Sequence, residues 1–293
     1  MIIVNVTGGL GNQMFQYAAA RSVGFRMGVP LKFDISAFAT YGLHQGFELT
    51  RVFNCEGDLA SADIVQKMLG WQAAPRIRSL LARPRFAVLR SKKLVIEPKF
   101  GYWQGINEVP DDCYLTGYWQ SEKYFSTIAS QIRKEFTFRQ PLDKTSAEVA
   151  SLISEVNAVS LHVRRGDYAN HAPTAAKHGL CSLDYYHAAL RYIEERLVNA
   201  YLFVFSDDIP WVKQNLPLDL PCQYIDHNRG ANSFNDLRLM SMCSHHVIAN
   251  SSFSWWGAWL KTTQQSLTIA PRQWFLDSTI DTSELFCDQW IKI

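Results

Sequence analysis

Short apolar runs, each closed by glycine or polar residues, alternate along this chain with stretches whose apolar residues fall at helical spacing. The run Val4–Thr7 leads through Gly8-Gly9-Leu10-Gly11-Asn12-Gln13 into Met14-Phe15-Gln16-Tyr17-Ala18-Ala19-Ala20-Arg21. Pro30 ends that helix, and residues 31–35 resume as a strand. Such a β-α-β opening predicts a parallel sheet with a right-handed crossover. Residues 37–54 are aromatic and glycine-bearing without a period, and read as loop. Residues 61–69 predict a short helix with Ser61 as its cap, and apolar positions at Phe125, Ile128, Ala129, Ile132 and Phe136 predict a helix over 121–136.

The second half keeps the same rhythm more cleanly. A helix over 145–156 precedes a strand over 158–163, and Ser182 caps a helix that runs to about 198 with Tyr185, Ala189, Tyr192, Ile193 and Arg196 in register. Strands follow at 201–205 and 222–226, then a helix at 235–243. A strand at 247–249 runs straight into Asn250-Ser251-Ser252-Phe253-Ser254-Trp255-Trp256, and a last strand occupies 267–270. Residues 139–144, polar and proline-bearing, are the best linker. The pattern therefore predicts an α/β chain of two Rossmann-like domains with mainly parallel sheets, 1–140 and 145–293.

Bulk properties narrow the class. A chain of 293 residues buries a large core and suggests about two domains. Hydrophobic content of 47% against 19% charged residues is that of a globular protein. A formal charge of +2 argues against nucleic acid as a partner. No apolar run has the length of a membrane span, and the N-terminus lacks the basic and apolar segments of a signal peptide. Cys55, Cys113, Cys181, Cys222, Cys243 and Cys287 are scattered, with no zinc spacing. Reduced thiols and a cytoplasmic location are expected. The sequons at Asn5 and Asn250 lie inside structural motifs and are chance matches.

Three polar clusters follow three of the strands: Arg164-Arg165-Gly166-Asp167, Ser206-Asp207-Asp208, and Asn250-Ser251-Ser252-Phe253-Ser254. If the strands are parallel, all three share one edge of the sheet, where ligands of open α/β sheets bind. Strand parity puts His162 and Arg164 on one face and Val163 and Arg165 on the other. An arginine there offers a planar fork for phosphate. Serines at a helix start add hydroxyls and free N–H groups, or serve only as caps. Asp207 and Asp208 suit the N–H groups of a purine or ribose hydroxyls, with a helix cap as the structural alternative.

The glycine run is not a dinucleotide fingerprint, which would need glycine at Met14, nor a phosphate loop, which would need Gly-Lys-Ser/Thr. It is either a tight turn or a close backbone approach to a ligand, with Asn12 and Gln13 presenting amides. No Asp-x-Asp occurs, so no metal is expected. Phe100-Gly101-Tyr102-Trp103-Gln104 and Thr116-Gly117-Tyr118-Trp119-Gln120 resemble each other. Trp103 and Trp119 are candidates to stack on a sugar acceptor, or are core. Residues 76–93 carry Arg76, Arg78, Arg83, Arg85, Arg90, Lys92 and Lys93 without an acid. This is either a solvated amphipathic helix broken at Pro84 or a surface for peripheral contact with the inner membrane.

Taken together and in this order, Gly8-Gly9-Leu10-Gly11-Asn12-Gln13, His162-Val163-Arg164-Arg165-Gly166-Asp167-Tyr168, Phe205-Ser206-Asp207-Asp208 and the segment from Asn250 to Leu260 resemble the bacterial α-1,2-fucosyltransferases of glycosyltransferase family 11. That resemblance implies a GT-B-like fold and an inverting transfer of L-fucose from GDP-β-L-fucose, without metal or other cofactor. The acceptor it implies is the 2-hydroxyl of a galactose-terminated oligosaccharide or lipid-linked glycan. It assigns the C-terminal domain to GDP-fucose, with Arg164 on the diphosphate and His162 beside it. Asp207 and Asp208 fall near guanine and ribose; Asn250, Ser251, Ser252 and Ser254 near the diphosphate. Asn12, with Gly9, Gly11 and Gln13 around it, falls near the fucose. Arg165 becomes a scaffold ion pair, and Asp167 a candidate base with a structural role equally open. Another fucose linkage, a Rossmann-like oxidoreductase and a simple nucleotide or sugar binder are the competing readings.

Overall fold

Residues Ile2–Asn5 form strand β1, buried throughout its apolar part, as a parallel strand covered on both faces requires. The structure is a computed structural model and describes residues 1–39, 45–166, 179–261 and 266–293. The chain divides into two units, residues 1–139 with 283–285 and residues 140–282 with 286–293.

In the first unit β1 is followed by α1 (Leu10–Met27), β2 (Leu31–Asp34), α2 (Leu49–Val52), β3 (Asp58–Leu59), α3 (Ala62–Leu69), α4 (Pro75–Leu81), β4 (Leu94–Ile96), β5 (Cys113–Thr116) and α5 (Ala129–Glu135). The sheet order is β3-β2-β1-β5-β4, parallel at every pairing. Helix α1 is buried on nearly every side, which is why it shows no amphipathic stripe. Gly28 ends it in the left-handed region at φ 65°. Two of its polar members share one acid: the Tyr17 hydroxyl donates to Glu135 at 2.6 Å, and Arg21 pairs with Glu135 at 2.8 Å and with Glu56 at 2.6 Å.

The second unit runs α6 (Lys144–Glu155), β6 (Asn157–Val163), α7 (Leu183–Glu194), β7 (Ala200–Ser206), α8 (Ile209–Asn215), β8 (Cys222–Ile225), α9 (Phe234–Met242), β9 (His245–Val247), α10 (Ser252–Leu260), β10 (Thr268–Ala270) and β11 (Ile291–Lys292). Its sheet order, β11-β10-β9-β6-β7-β8, is again wholly parallel. Val159, Leu161 and Val163 pack with Leu202 and Val204 against α7 and α8. Ala158 packs with Phe203 and Phe205 against α6 and α9 on the other face. A Cβ on Gly257 would stand 2.9 Å from Met240 Cβ, so glycine sets how closely α10 approaches α9.

The reading of 121–136 as one helix changes. The helix over 121–136 is instead two 3-10 turns, 122–124 and 126–128, followed by α5. Phe125, between the turns, leaves helical geometry with φ −136° and buries its ring completely. The basic stretch is α4 and a 3-10 segment over 84–89, with Pro84 opening the second piece. All six cysteines are free thiols. Among the described residues no helix is long and apolar enough to cross a membrane.

Candidate functional site

In the second unit the chain leaves β6 toward β7 and β8, then reappears at β9 on the other side of β6. The carboxyl ends of β6 and β9 therefore flank a topological switch point, the usual binding crevice of such sheets. Arg164, Arg165 and Gly166 leave β6 there; Ser206, Asp207 and Asp208 leave β7 beside them; Asn250 to Ser254 leave β9.

Arg164 Nη1 lies 2.9 Å from Asp207 Oδ2, and the other oxygen of Asp207 accepts from the Arg165 N–H at 2.8 Å. A Cβ on Gly166 would collide with the Asp207 carboxylate, so only glycine permits this contact. Arg165 turns to the opposite face. Its guanidinium lies 3.6 Å from the Trp211 ring centroid, and its Nε stands 3.9 Å from Asp208. Asp208 also caps α8, accepting from the Trp211 N–H at 3.1 Å. Both aspartates are thus engaged by the protein itself, Asp207 as the counter-ion of Arg164 and Asp208 as a helix cap. Asp167 lies outside the described residues.

His162 is 5% exposed, and its ring lies 6.2 Å from that of Phe253 in the first turn of α10. Its Nδ1 is buried with no partner. Burial, and then the Arg164 charge, hold the imidazole well below its ordinary pKa against the opposing pull of Asp207. It is therefore a neutral ring with one unsatisfied nitrogen beside an arginine. On β9's side, the Ser251 hydroxyl caps α10 by accepting from the Phe253 N–H at 3.3 Å. Ser252 is half-buried as the first residue of that helix. The Ser254 hydroxyl is buried and donates back to the Ser251 carbonyl at 3.4 Å. The Asn250 amide donates to the carbonyls of Gly179 at 3.3 Å and Trp274 at 3.2 Å, and accepts from the Cys181 thiol at 3.4 Å. Asn250 and Ser254 are thus tied into the scaffold by their own hydrogen bonds. The first turn of α10, with Ser251 and Ser252, is what this segment offers an anion.

The first unit has its own switch point, between β1 and β5. The glycine run leaves β1 and the segment 117–120 leaves β5, and Gln120 Nε2 donates to Asn12 Oδ1 at 2.7 Å. Gly8 has φ +80°, and a Cβ there would stand 2.9 Å from Asn12 Nδ2. The Gly9 carbonyl accepts from the N–H groups of Asn12 and Gln13, and Gly11 is buried in the first turn of α1. Gln13 corrects an expectation. It is fully buried, donating to Gly8 O at 2.9 Å and Gly46 O at 2.8 Å and accepting from Glu48 N at 2.9 Å. Both N–H groups of this amide are committed to the backbone, and the side chain is closed off from a ligand by burial. Trp119 corrects another: at 0% exposure, edge-on to Tyr124 at 5.4 Å, it is core and presents no face to a sugar. Trp103 is half-buried, with its indole against Gly105.

Sequence reasoning missed Glu97, which follows β4 and accepts from the N–H groups of Tyr118 at 2.6 Å and Trp119 at 3.0 Å. Burial raises its carboxyl to about 7 against the pull of those two donors. A lone glutamate before Pro98 carries no sequence signal, because its partners are backbone groups of another strand's loop. Phe253 beside His162 was missed for a similar reason. Among the described residues no three His, Cys, Asp or Glu side chains are grouped to hold a metal ion.

Comparison with known proteins bears on what these sites belong to. The family described as glycosyl transferase family 11 matches residues 104–293. An α-1,2-colitosyltransferase of Escherichia coli is 34% identical across 100% of this chain and 99% of its own. A galactoside 2-α-L-fucosyltransferase of Caenorhabditis elegans is 25% identical, spanning 91% of this chain and 71% of its own. Among solved structures, the α-1,6-fucosyltransferase NodZ of Bradyrhizobium, soaked with GDP-fucose, superposes with a TM-score of 0.53 at 16% identity, over 88% of this chain and 92% of that one. That likeness is one of fold: the two parallel-sheet units are those of a GT-B glycosyltransferase. With a family match over most of its length and a relative aligned from end to end, the chain belongs to glycosyltransferase family 11.

Proposed function

We propose that the chain transfers L-fucose from GDP-β-L-fucose to the 2-hydroxyl of a terminal β-galactoside, inverting the anomeric centre to give an α-1,2-linked product. The observation that carries the reading is Arg164 at the switch point of the second sheet, on the sheet edge that also holds the unpartnered His162 Nδ1 and, beside the His162 ring, the first turn of α10. A guanidinium and a helix N-terminus are together a diphosphate site that can neutralise a leaving GDP without a metal ion. The bond from fucose C1 to the β-phosphate oxygen breaks as the galactose O2–C1 bond forms. The hydroxyl proton passes to a base or to solvent. Asp167 is the candidate carboxylate in sequence, and a structural role for it is the competing assignment.

Arg164→Lys should lower kcat by roughly 100- to 1,000-fold, since lysine keeps the charge but loses the bidentate fork. A near-normal kcat would remove Arg164 from the leaving-group site. Incubation with GDP-fucose and a panel of β-galactosides, with linkage assigned by NMR, tests the reaction itself. Tight NAD binding without GDP binding would overturn it in favour of an oxidoreductase.

A second donor is favoured by one specific observation, the end-to-end relative named for colitose. Colitose is L-fucose without its 3-hydroxyl. A site built to hydrogen-bond that hydroxyl strongly rejects the deoxy sugar, whereas an apolar one discriminates weakly. The ratio of kcat/KM for GDP-fucose and GDP-colitose decides between them.

A further inference from the structure

Helices α3 and α4 and the 3-10 turns at 70–73 and 84–89 form a layer on one face of the first sheet. Val65, Met68, Leu69 and Leu81 pack with Ile3, Leu94 and Tyr114 beneath it. The outer side of this layer carries large apolar side chains in the open, among its charged ones. Trp71 is 60% exposed, Leu80 43%, Val88 90% and Leu89 54%.

Two brackets gather these side chains. The Gln72 amide donates to Leu89 O at 2.9 Å and accepts from Ser91 N at 3.0 Å, which ties the turn carrying Trp71 to the segment carrying Val88 and Leu89. Arg90 donates to Leu81 O at 2.7 Å and Ala82 O at 3.2 Å, which ties the end of α4, with Leu80, to the same segment. The cations divide into two sets. Arg78 and Lys93 are committed to Asp34 and Asp112, at 3.0 Å and 2.6 Å. Arg76, Arg83, Arg85 and Lys92 are exposed, and among the described residues none of the four forms an ion pair.

Between Asp63 and Glu97 the chain has eight cations and no acid, while its whole formal charge is only +2. The remainder is therefore net acidic, and the positive charge is concentrated where the apolar side chains protrude. Exposed apolar side chains among unpaired cations are the pattern of a surface that meets anionic lipid. Val88, the most exposed of the large apolar side chains, sits on the 3-10 turn at 84–89, in the same segment as the exposed Arg85.

We propose that this patch docks the protein on an anionic lipid surface, with Trp71, Leu80, Val88 and Leu89 entering the headgroup boundary and Arg76, Arg83, Arg85 and Lys92 against lipid phosphates. The assignment rests on this surface alone and stands or falls separately from the transfer reaction.

Sedimentation of the full chain with vesicles tests it, using phosphatidylcholine alone or mixed with phosphatidylglycerol. The protein should pellet with the anionic vesicles, stay largely in solution with the neutral ones, and be released by high salt. Arg83→Glu with Arg85→Glu, and separately Val88→Ser with Leu89→Ser, should each weaken partitioning about tenfold or more. Both pairs are exposed, so melting temperature and turnover of a soluble acceptor should stay unchanged. Equal pelleting on both vesicle types, or variants that pellet like the parent, overturns the proposal. So does a concentration-dependent dimer that Val88→Ser with Leu89→Ser abolishes, because the patch would then belong to a second copy of this chain.

Discussion

Arg164 and Asp207 form an ion pair across the ends of two adjacent parallel strands, with Gly166 supplying the room. The pair is partly exposed, 26% and 24%, so its contribution to stability is small, of order 0–1 kcal/mol. Its use is directional: a carboxylate gripping one guanidinium nitrogen leaves the rest of the planar fork fixed in orientation. Asp207→Asn keeps the acceptor for the Arg165 N–H and removes the charge. It should leave the melting temperature within a few degrees of the parent yet lower kcat/KM by roughly tenfold or more. Gly166→Ala should do the same by displacing the carboxylate. Unchanged kcat/KM in both variants would make the pair incidental.

Two buried imidazoles should govern acid stability. His246 is wholly buried, and its Nδ1 shares a hydrogen bond with the Ser160 hydroxyl at 2.9 Å. Burial, His245 and Lys261 push it down to about 3, and burial with Arg164 lowers His162 as well. Each ring is neutral when folded and takes up a proton on unfolding below its ordinary value of about 6.5. The stabilisation is complete above about pH 6.5 and is lost as pH falls toward the folded value, at ~1.4 kcal/mol per pH unit for each ring. In urea titrations from pH 6.5 to 5, Ser160→Ala with His246→Phe should therefore lose about 2 kcal/mol less than the parent. Parallel curves for the two would show that His246 ionises normally.

Much of the second unit was legible in the sequence because its strands are buried on both faces and read as continuous apolar runs. The parity argument for β6 depended only on strand geometry, and Arg165 on Trp211 opposite Arg164 on Asp207 is the arrangement it describes. Less was legible in the first unit. Strands β3, β4 and β5 are only two to four residues long, too short to show a period. Trp119 and Gln13 resembled ligand-binding residues because composition cannot tell a buried amide or indole from an exposed one. The partners of Asn250 were equally hidden, since Gly179 and Trp274 are remote in the chain.

Gln13 separates a scaffold role from a ligand role. Its amide joins the glycine turn to Gly46 and Glu48, just before α2. Gln13→Ala strands buried backbone groups and should cost roughly 2–4 kcal/mol of stability. Gln13→Glu should be no better at neutral pH, since a carboxylate would face two carbonyl oxygens. The Glu48 amide should exchange faster in both variants by hydrogen-exchange mass spectrometry. A Gln13→Ala variant with parental stability and weakened donor binding would return the residue to the ligand.

Glu97 supplies the opposite pH signature to the histidines. Burial lifts its carboxyl from the ordinary 4.5 to about 7, while the N–H groups of Tyr118 and Trp119 favour the charged form. The groups facing it are the Tyr118 and Tyr124 phenols, whose own pKa values burial and the Glu97 carboxyl raise. A carboxyl raised in the folded state holds its proton there after the unfolded chain has lost it. Its contribution to stability is complete below about 4.5 and is lost as pH rises through about 7. Glu97→Gln is neutral at every pH but forfeits one of the two backbone bonds, so it should be less stable than the parent at pH 4.5. That deficit should shrink steadily up to about pH 7 and then stay level. Denaturant midpoints of both proteins across that range measure it. A deficit independent of pH would mean that the carboxylate stays charged throughout, and that the two N–H donors outweigh burial at the carboxyl end of β4.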